Sequence, residues 1–120
     1  MLQPIPKRIL TKTVTVSVPS GVDSWQKPTY TSYTVYNTHL QNTNEVRKTK
    51  DNTEIVLRSI LFVDARISTP SLDYLALEAT AESHNADIKV TIDGIAYKVQ
   101  VIDAVPDDTG VTHHYELGLV

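Results

Sequence analysis

The sequence predicts a mainly β protein, a small antiparallel β-barrel or sandwich of about six strands with one short helix (about residues 71–83) and a long loop (residues 41–53). Three observations predict this class: a strong hairpin signal near the C-terminal third, several segments whose apolar residues alternate, and one segment with helical spacing. Strands and helices do not alternate along the chain, so a parallel sheet is not expected. At 120 residues we expect a single β-barrel domain that spans residues 1–120.

The segment Asp87–Asp103 carries the clearest signal. Its Asp93-Gly94 pair lies between two β-rich runs and predicts a type I′ turn, in which both central residues have positive φ. A two-residue turn fixes the register and places three apolar pairs on one face: Ile92–Ile95, Val90–Tyr97 and Ile88–Val99. The other face pairs Thr91 with Ala96 and Lys89 with Lys98, and we expect it to be solvated.

The first predicted strand is Ile9–Val18, which alternates cleanly between an apolar and a polar face. Its apolar face consists of Leu10, Val14, Val16 and Val18. Prolines bracket the next segment, Pro19–Pro28, which we interpret as a loop. Trp25 in this loop either folds over the core as a lid, the commoner arrangement, or is presented to a partner.

The second predicted strand is Thr29–Leu40, rich in Thr, Tyr and Val, with a bulge near Tyr33 where the alternation fails. The segment Gln41–Thr53 then has one apolar residue, Val46. Because so polar a segment buries little apolar surface, it is expected to be an exposed, mobile loop.

Three further elements complete the pattern. Glu54–Asp64 predicts a strand with apolar residues on both faces, typical of a central strand or of a subunit contact. Ser71–Ser83 predicts the helix, with Ser71 as N-cap. Its apolar face is formed by Leu72, Leu75, Ala76 and Ala79. Val111–Val120 predicts a terminal strand that extends the sheet of the hairpin.

Composition excludes several classes of site. The absence of cysteine excludes a disulfide framework, a thiolate zinc site and a cysteine nucleophile. The opening MLQPIPKRIL has no apolar core followed by a cleavage site, so we expect no secretory signal. No apolar run approaches the roughly 20 residues of a membrane span. We therefore expect no membrane partner.

Cations and anions are unevenly distributed. Residues 1–60 contain eight Lys or Arg and four Asp or Glu (net +4), and residues 61–120 contain three and ten (net −7), which sum to the −3 of the chain. Either the two halves present complementary faces to neighbouring copies and other proteins, or the charges interleave on the folded surface.

Catalytic motifs are missing. His113 and His114 are adjacent in a predicted strand, so their side chains are expected to point to opposite faces and not to share a metal ion. The sequence has no G-x-S-x-G elbow and no glycine-rich phosphate loop. We expect no enzymatic activity, no catalytic or metal-ligating residues and no cofactor.

Nucleic-acid contact has one candidate, the basic run Arg47, Lys48 and Lys50 in the long loop. A pI near 5.7 does not favour autonomous DNA binding, which needs a distributed positive surface. A loop held beside DNA by a larger assembly does not need such a surface. Otherwise the run is a solvated charge cluster.

Four stretches resemble a known family. The opening PIPKRIL, the middle LFVDARISTP, the closing HHYELGLV and the DG-x-x-Y of the hairpin, which ends at Tyr97, are similar to the small minor capsid proteins of tailed phages and prophages of Gram-positive bacteria. The resemblance implies a structural virion protein at the head–tail junction. Such a head-completion or stopper subunit forms a ring below the portal and adaptor, closes the DNA channel and docks the tail.

The resemblance also implies partners. These are the portal or adaptor, tail-completion proteins and further copies of the chain in a ring, in the virion and, during assembly, in the bacterial cytoplasm. Non-specific contact with packaged DNA is expected from the candidate channel loop (Arg47, Lys48, Lys50), and partner contact from Trp25, Lys89 and Lys98. Two other classes stay open: a capsid decoration or tail-tube protein, and a small hydrolase.

Overall fold

Eight strands and one helix form the structure, a computed structural model that describes residues 10–48, 52–84 and 86–120. In chain order they are β1 (Lys12–Val22), β2 (Pro28–Asn42), β3 (Val46–Lys48), β4 (Glu54–Val56), β5 (Ser59–Asp64), α1 (Tyr74–Ser83), β6 (Lys89–Ile92), β7 (Ile95–Pro106) and β8 (Thr112–Leu119). Six antiparallel strands close into a barrel in the order β1-β2-β5-β8-β7-β6, and β3 and β4 form a separate two-stranded sheet. The predicted mainly β fold with one helix is confirmed.

The hairpin β6–β7 has the predicted register. Asp93 and Gly94 have φ of 50° and 81°, as a type I′ turn requires. The pairs Ile92–Ile95, Val90–Tyr97, Thr91–Ala96 and Lys89–Lys98 all form, and the Val99 N–H donates to the Ile88 carbonyl at 2.9 Å. Ile88, Val90 and Ile92 are buried as expected, but Ile95, the cross-strand partner of Ile92, is 52% exposed.

Strand β6 closes the barrel against β1, through the pairs Thr15–Thr91, Val16–Val90 and Ser17–Lys89. The apolar face predicted for the first strand is confirmed, since Leu10, Val14, Val16 and Val18 are buried. The predicted start, Ile9, lies outside the described residues. At its other end β1 continues four residues beyond the predicted Val18.

The prediction of a loop at Pro19–Pro28 is wrong. The β1–β2 ladder continues through the pairs Pro19–Tyr30, Gly21–Thr29 and Val22–Pro28, so only residues 23–27 form the turn. Both prolines lie where β1 and β2 pair only with each other, so each strand has one edge without a partner strand. A missing N–H is tolerated at such an edge. The lid prediction for Trp25 is also wrong: its side chain is 82% exposed at the turn.

Strand β2 is irregular, but further along than predicted. The bulge expected near Tyr33 lies between Val35 and Thr38, where the register with β1 shifts. Asn37 has φ of 61° there, and its Nδ2 donates to the Ile67 carbonyl at 3.3 Å. Asn tolerates positive φ better than most residues, which explains why the irregularity falls on it.

The strand predicted at Glu54–Asp64 divides into β4 and β5, which belong to different sheets. The break occurs at Leu57, whose side chain is fully buried. It packs on Gly118 of β8, where an added Cβ would lie 2.9 Å from Leu57 Cδ1. Apolar residues on both faces of the segment therefore reflect a chain that turns inward at Leu57.

Helix α1 is shorter than predicted and is capped differently. Asp73, not Ser71, is the N-cap, and its Oδ1 accepts a hydrogen bond from the Ala76 N–H at 3.2 Å. The predicted apolar face is wrong, because Leu75 is exposed while Tyr74 and Ala81 are buried. The true face repeats at i, i+3, i+4 and i+7 from Tyr74, so the phase of the pattern differs from the prediction by two residues.

The core is one cluster inside the barrel. It contains Val14, Val16, Val18, Val35, Leu61, Val63, Tyr74, Ala81, Ile88, Val90, Ile92, Val99, Ile102, Leu117 and Leu119. The predicted face of the terminal strand is confirmed, with Leu117 and Leu119 fully buried and Tyr115 partly buried against the cluster. The predicted extension of the hairpin sheet is confirmed too, since β7 pairs with β8.

Buried Asp64 organises the turn that follows β5. Its Oδ1 accepts hydrogen bonds from the N–H groups of Arg66 at 2.8 Å and Ile67 at 3.0 Å. Its own N–H donates to Ser68 Oγ at 2.9 Å. The DARIS part of the LFVDARISTP stretch is therefore a structural turn.

We predict that Gly118→Ala destabilises the protein by about 1–3 kcal/mol, because the new methyl group overpacks the site that Leu57 fills. Gly21→Ala is the control, since its Cβ would be 3.5 Å from Thr29 Oγ1, an ordinary contact. Urea unfolding of both variants measures the difference. Equal free energies of unfolding would show that Leu57 moves aside freely.

Candidate functional site

The predicted long loop contains a β-hairpin, which we call the arm (residues 46–56, of which 49–51 lie outside the described residues). Within it Val46, Arg47 and Lys48 pair with Val56, Ile55 and Glu54. The prediction of an exposed, mobile loop at 41–53 is therefore wrong for residues 41–42, which belong to β2, and for residues 46–48, which form β3. The polar composition gave no sign of this short two-stranded sheet, because the contacts that stabilise it are made with the barrel.

The arm continues the β2–β5 hairpin of the barrel. Beyond the last β2–β5 pair, Asn42–Ser59, the Thr43 N–H donates to the Arg58 carbonyl at 3.0 Å. The Leu57 N–H then donates to the Glu45 carbonyl at 2.9 Å. Buried Leu57 lies at this junction, so the base of the arm is fixed by both backbone and core contacts.

Arg47 anchors the arm to the barrel wall. Its Nη1 donates to Asp103 of β7, and its Nη2 donates to Glu116 Oε1 of β8 at 3.1 Å and to Glu45 Oε2 at 3.3 Å. The Arg47 side chain is 23% exposed. Burial by itself lowers the pKa of Arg47, but the bonds to Glu45 and Glu116 and the charge of Asp103 outweigh it and raise that pKa.

The two barrel acids are held side by side. Asp103 and Glu116 are a cross-strand pair of β7 and β8, and they alternate with buried Ile102 and Leu117, so both face outward. Like charges at such a pair are unfavourable unless a cation lies between them. Arg47 supplies that cation, and a guanidinium can bond two carboxylates at once.

Aromatic rings line the wall next to Arg47. His39, Phe62 and His114 form a row with centroid separations of 5.8 and 6.0 Å. His114 Nε2 lies 3.1 Å from Glu116 Oε2, the same carboxylate group that Arg47 contacts. The anchor is thus part of a larger polar and aromatic surface on β2, β5 and β8.

The two adjacent histidines do not point to opposite faces. Nδ1 of His113 lies 2.8 Å from Nδ1 of His114. The reason is a β-bulge: Val105 pairs with His114 and Pro106 with Thr112, which leaves His113 as an extra residue in β8. Among the described residues no group of three or more His, Asp or Glu is arranged to hold a metal ion.

The other predicted contact residues lie apart from the arm. Trp25 is at the β1–β2 turn, whereas Lys89 and Lys98 face each other on β6–β7. Lys89 Nζ lies 5.0 Å from the centroid of the Tyr30 ring, and Lys98 Nζ lies 3.5 Å from Asp87 Oδ2. Their like charges are thus partly compensated within the chain.

Of the basic run, Lys48 is exposed on the arm and Lys50 lies outside the described residues. Asp103 and Glu116, which hold Arg47, were not singled out from the sequence. The sequence feature that could have indicated them is their position, since each is a carboxylate at an outward-facing position of a strand with alternating apolar and polar residues. Nothing in the sequence indicated that Arg47 would reach them.

A shallow cavity of about 100 Å³ lies between α1 and β7, lined by Ala81, Glu82, Asp87, Ile88 and Ile102 among others. Ligand pockets are generally about 300–1,000 Å³, so this one is small for a cofactor. No helix in the described ranges is both long and apolar enough to cross a membrane.

We predict that Arg47→Met frees the arm while leaving the barrel folded, because it removes the cation shared by Asp103 and Glu116. Global stability should fall by only about 1 kcal/mol, since the pairs are partly exposed. Amide hydrogen exchange should accelerate at Val46–Lys48 and Glu54–Val56. Lys48→Met, one residue along on the exposed side, is the control. Unchanged exchange in Arg47→Met would show that the backbone alone holds the arm.

Comparison with known proteins completes the description of this surface. A family model described as minor capsid protein matches residues 6–119, which is nearly the whole chain. No curated protein and no solved structure gives a match. The resemblance noted in the sequence is thereby confirmed. The chain belongs to the minor capsid protein family and is a structural component of the bacteriophage virion.

Proposed function

We propose that this minor capsid protein is a head-completion or stopper subunit at the head–tail junction. In this role copies of the barrel form a ring below the portal and adaptor, which closes the DNA channel and docks the tail. The observation that carries the proposal is the arm: a narrow hairpin that extends one hairpin of a closed barrel and bears an exposed Lys48. The role is structural and involves no catalysis.

The arm suits a channel because its two ends differ. Its base is fixed by Leu57, by the backbone bonds at Glu45 and by Arg47. Farther along β3 lies Lys48, which is exposed and has no carboxylate partner among the described residues, and in the sequence Lys50 follows two residues later. A ring of such arms would direct positive charge toward one axis, and phosphate contacts of this kind need no base recognition.

Arg47 therefore has a different role from the predicted one, which was contact with packaged DNA. Its guanidinium is occupied by three carboxylates, so it holds the arm and does not offer its charge to DNA. The DNA contact in our proposal falls on Lys48 and Lys50.

The outer surface of the arm offers a contact between neighbouring subunits. Val46 and Val56 are a cross-strand pair, and both are more than half exposed. Together they form a small apolar surface on the arm that a neighbouring subunit covers in our proposal. In the ring this contact would hold adjacent arms together.

Copy number in the virion tests the role. A stopper is present as one ring per particle, whereas a decoration or tail-tube protein is present in many rings or across the capsid. Quantitative mass spectrometry of purified virions, with the portal protein as the internal standard, gives the ratio. A ratio near that of the portal supports the proposal, and a large excess replaces it with the decoration or tail-tube role.

We predict that replacing both Lys48 and Lys50 with Ser leaves the subunit folded and incorporated but lets packaged DNA leak from the head. The reason is the loss of positive charge that faces the phosphates in the closed channel. Nuclease sensitivity of DNA in tail-less heads measures the leakage. Lys27→Ser, an exposed cation on the β1–β2 turn, is the control. Full DNA protection in the double variant would remove the arm from the channel.

A further inference from the structure

The β1–β2 hairpin projects beyond the barrel as a two-stranded ribbon, and its two edges differ. In the described part of the chain β1 has no β6 partner after Ser17. This edge is blunted by Pro19, which has no N–H, and by a register shift before Gly21. On the other side β2 pairs with β5 only from Thr38. Its free edge at Tyr30–Thr34 contains no proline, no charge and no bulge.

The hydrogen-bonding direction along β2 is fixed at Tyr36. Tyr36 and Thr69 exchange two backbone hydrogen bonds, of 2.7 and 3.2 Å, on the side away from β1. Because backbone groups alternate along a strand, the N–H and C=O groups of Tyr30, Ser32 and Thr34 point to that same side. Consistently, the Thr29 carbonyl faces β1, where it accepts from Ser20 Oγ at 3.5 Å.

These outward groups are available. Tyr30, Ser32 and Thr34 are all exposed, and within the described ranges no backbone hydrogen bond is made on this side of them. The side-chain contacts of these residues in the described part of the chain lie on the side of β1 and β6, where the Tyr30 ring meets Lys89 and Ser32 Oγ bonds Ser17 Oγ. An uncovered edge of this kind is a template for another strand.

We propose that this edge is an interface with a second copy of the chain, in which Tyr30–Thr34 of the two copies pair antiparallel about a two-fold axis at Ser32. Tyr30 then lies opposite the partner's Thr34, and Ser32 lies opposite the partner's Ser32. Each of the three pairs exchanges two N–H···O bonds. The result is a four-stranded sheet with a barrel at each end.

The pairing is limited to Tyr30–Thr34, because Thr69 already occupies the edge beside Tyr36. The partner's chain therefore leaves this edge before its Pro28, which has no N–H to leave unpaired. Residues 28–36 carry no charge, so two identical segments meet without like-charge repulsion. A segment whose bonding pattern complements itself favours a second copy over an unrelated strand.

Side chains support the same pairing. Opposition of Tyr30 to the partner's Thr34 is an aromatic–β-branched cross-strand pair, a favourable combination. The pairing also carries Trp25, the one tryptophan of the chain, toward the partner's barrel. A two-fold pairing is closed and yields a dimer and not a ring. The inference therefore does not rest on the proposed function.

Charge placed at the axis tests the proposal. Ser32→Glu sets two carboxylates against each other, so the dimer Kd should rise by at least about tenfold, and Ser32→Lys should do the same. Mixing the two variants should restore the dimer, because opposite charges then meet at the axis. Ser17→Glu is the matched control: Ser17 Oγ bonds Ser32 Oγ at 3.0 Å, but Ser17 lies one strand away from the axis, opposite Lys89.

Sedimentation velocity over a range of concentrations measures the dimer, with Trp25 emission as a second readout and circular dichroism as the folding check. The proposal is supported if the wild type and Ser17→Glu are dimers, each Ser32 variant is a monomer and their mixture is a dimer. A monomeric wild type at every concentration overturns it. So does a Ser32→Glu variant that dimerises as well as the wild type, a Ser17→Glu variant that is equally impaired, or a mixture that stays monomeric.

Discussion

Closure of the barrel by a pairing of only three residues, Thr15–Ser17 of β1 with Lys89–Thr91 of β6, is the constraint on which the rest of the structure depends. It removes most of the exposed edges that a six-stranded sheet would otherwise have. Strands β1 and β2 are 11 and 15 residues long, so they run well past the closing contact. The surplus length forms the ribbon at one end, and at the other end β2 leads through the β2–β5 ladder to the arm. The parts proposed to make contact are thus the overhangs of a closed barrel.

The uneven distribution of charge along the sequence is partly resolved within the fold. Lys12 pairs with Asp93, and Arg47 pairs with Asp103 and Glu116, so cations of the first half meet anions of the second half. These contacts favour interleaving of charge over two faces of opposite sign. Arg47 contributes most to this compensation of charge, because its single guanidinium bonds two carboxylates that the β7–β8 register places side by side.

Local rules predicted the elements they govern. The Asp93-Gly94 turn and the alternating valines of β1 need only neighbours along the chain or across one hairpin, and both were correct. The prediction of a loop around Trp25 was wrong because prolines such as those at 19 and 28 normally indicate a loop. The exposed strand edges that tolerate them exist only in the folded barrel. The phase of α1 was predicted wrongly and the break at Leu57 was missed, because both depend on the part of the fold against which the segment packs. Those surfaces, Tyr115 beside Tyr74 and Gly118 beneath Leu57, come from β8. The Arg47 anchor was missed for the same reason: its partners are 56 and 69 residues away.

Of the four stretches that carry the family resemblance, PIPKRIL lies outside the described residues except for Leu10. The other three lie on the barrel, not on its overhangs. DG-x-x-Y makes the closing hairpin, DARIS makes the turn at Asp64, and HHYELGLV makes β8 with its bulge at His113. Each is explained by what it does for the fold, whether turn geometry, a buried carboxylate or a glycine beneath Leu57. Because these residues determine the fold, the family match says more about the architecture of the chain than about the partners that it contacts. In our proposals the contacts in the virion are made by residues outside those stretches, the cations of the arm and the neutral edge of β2, whose surroundings only the folded chain reveals.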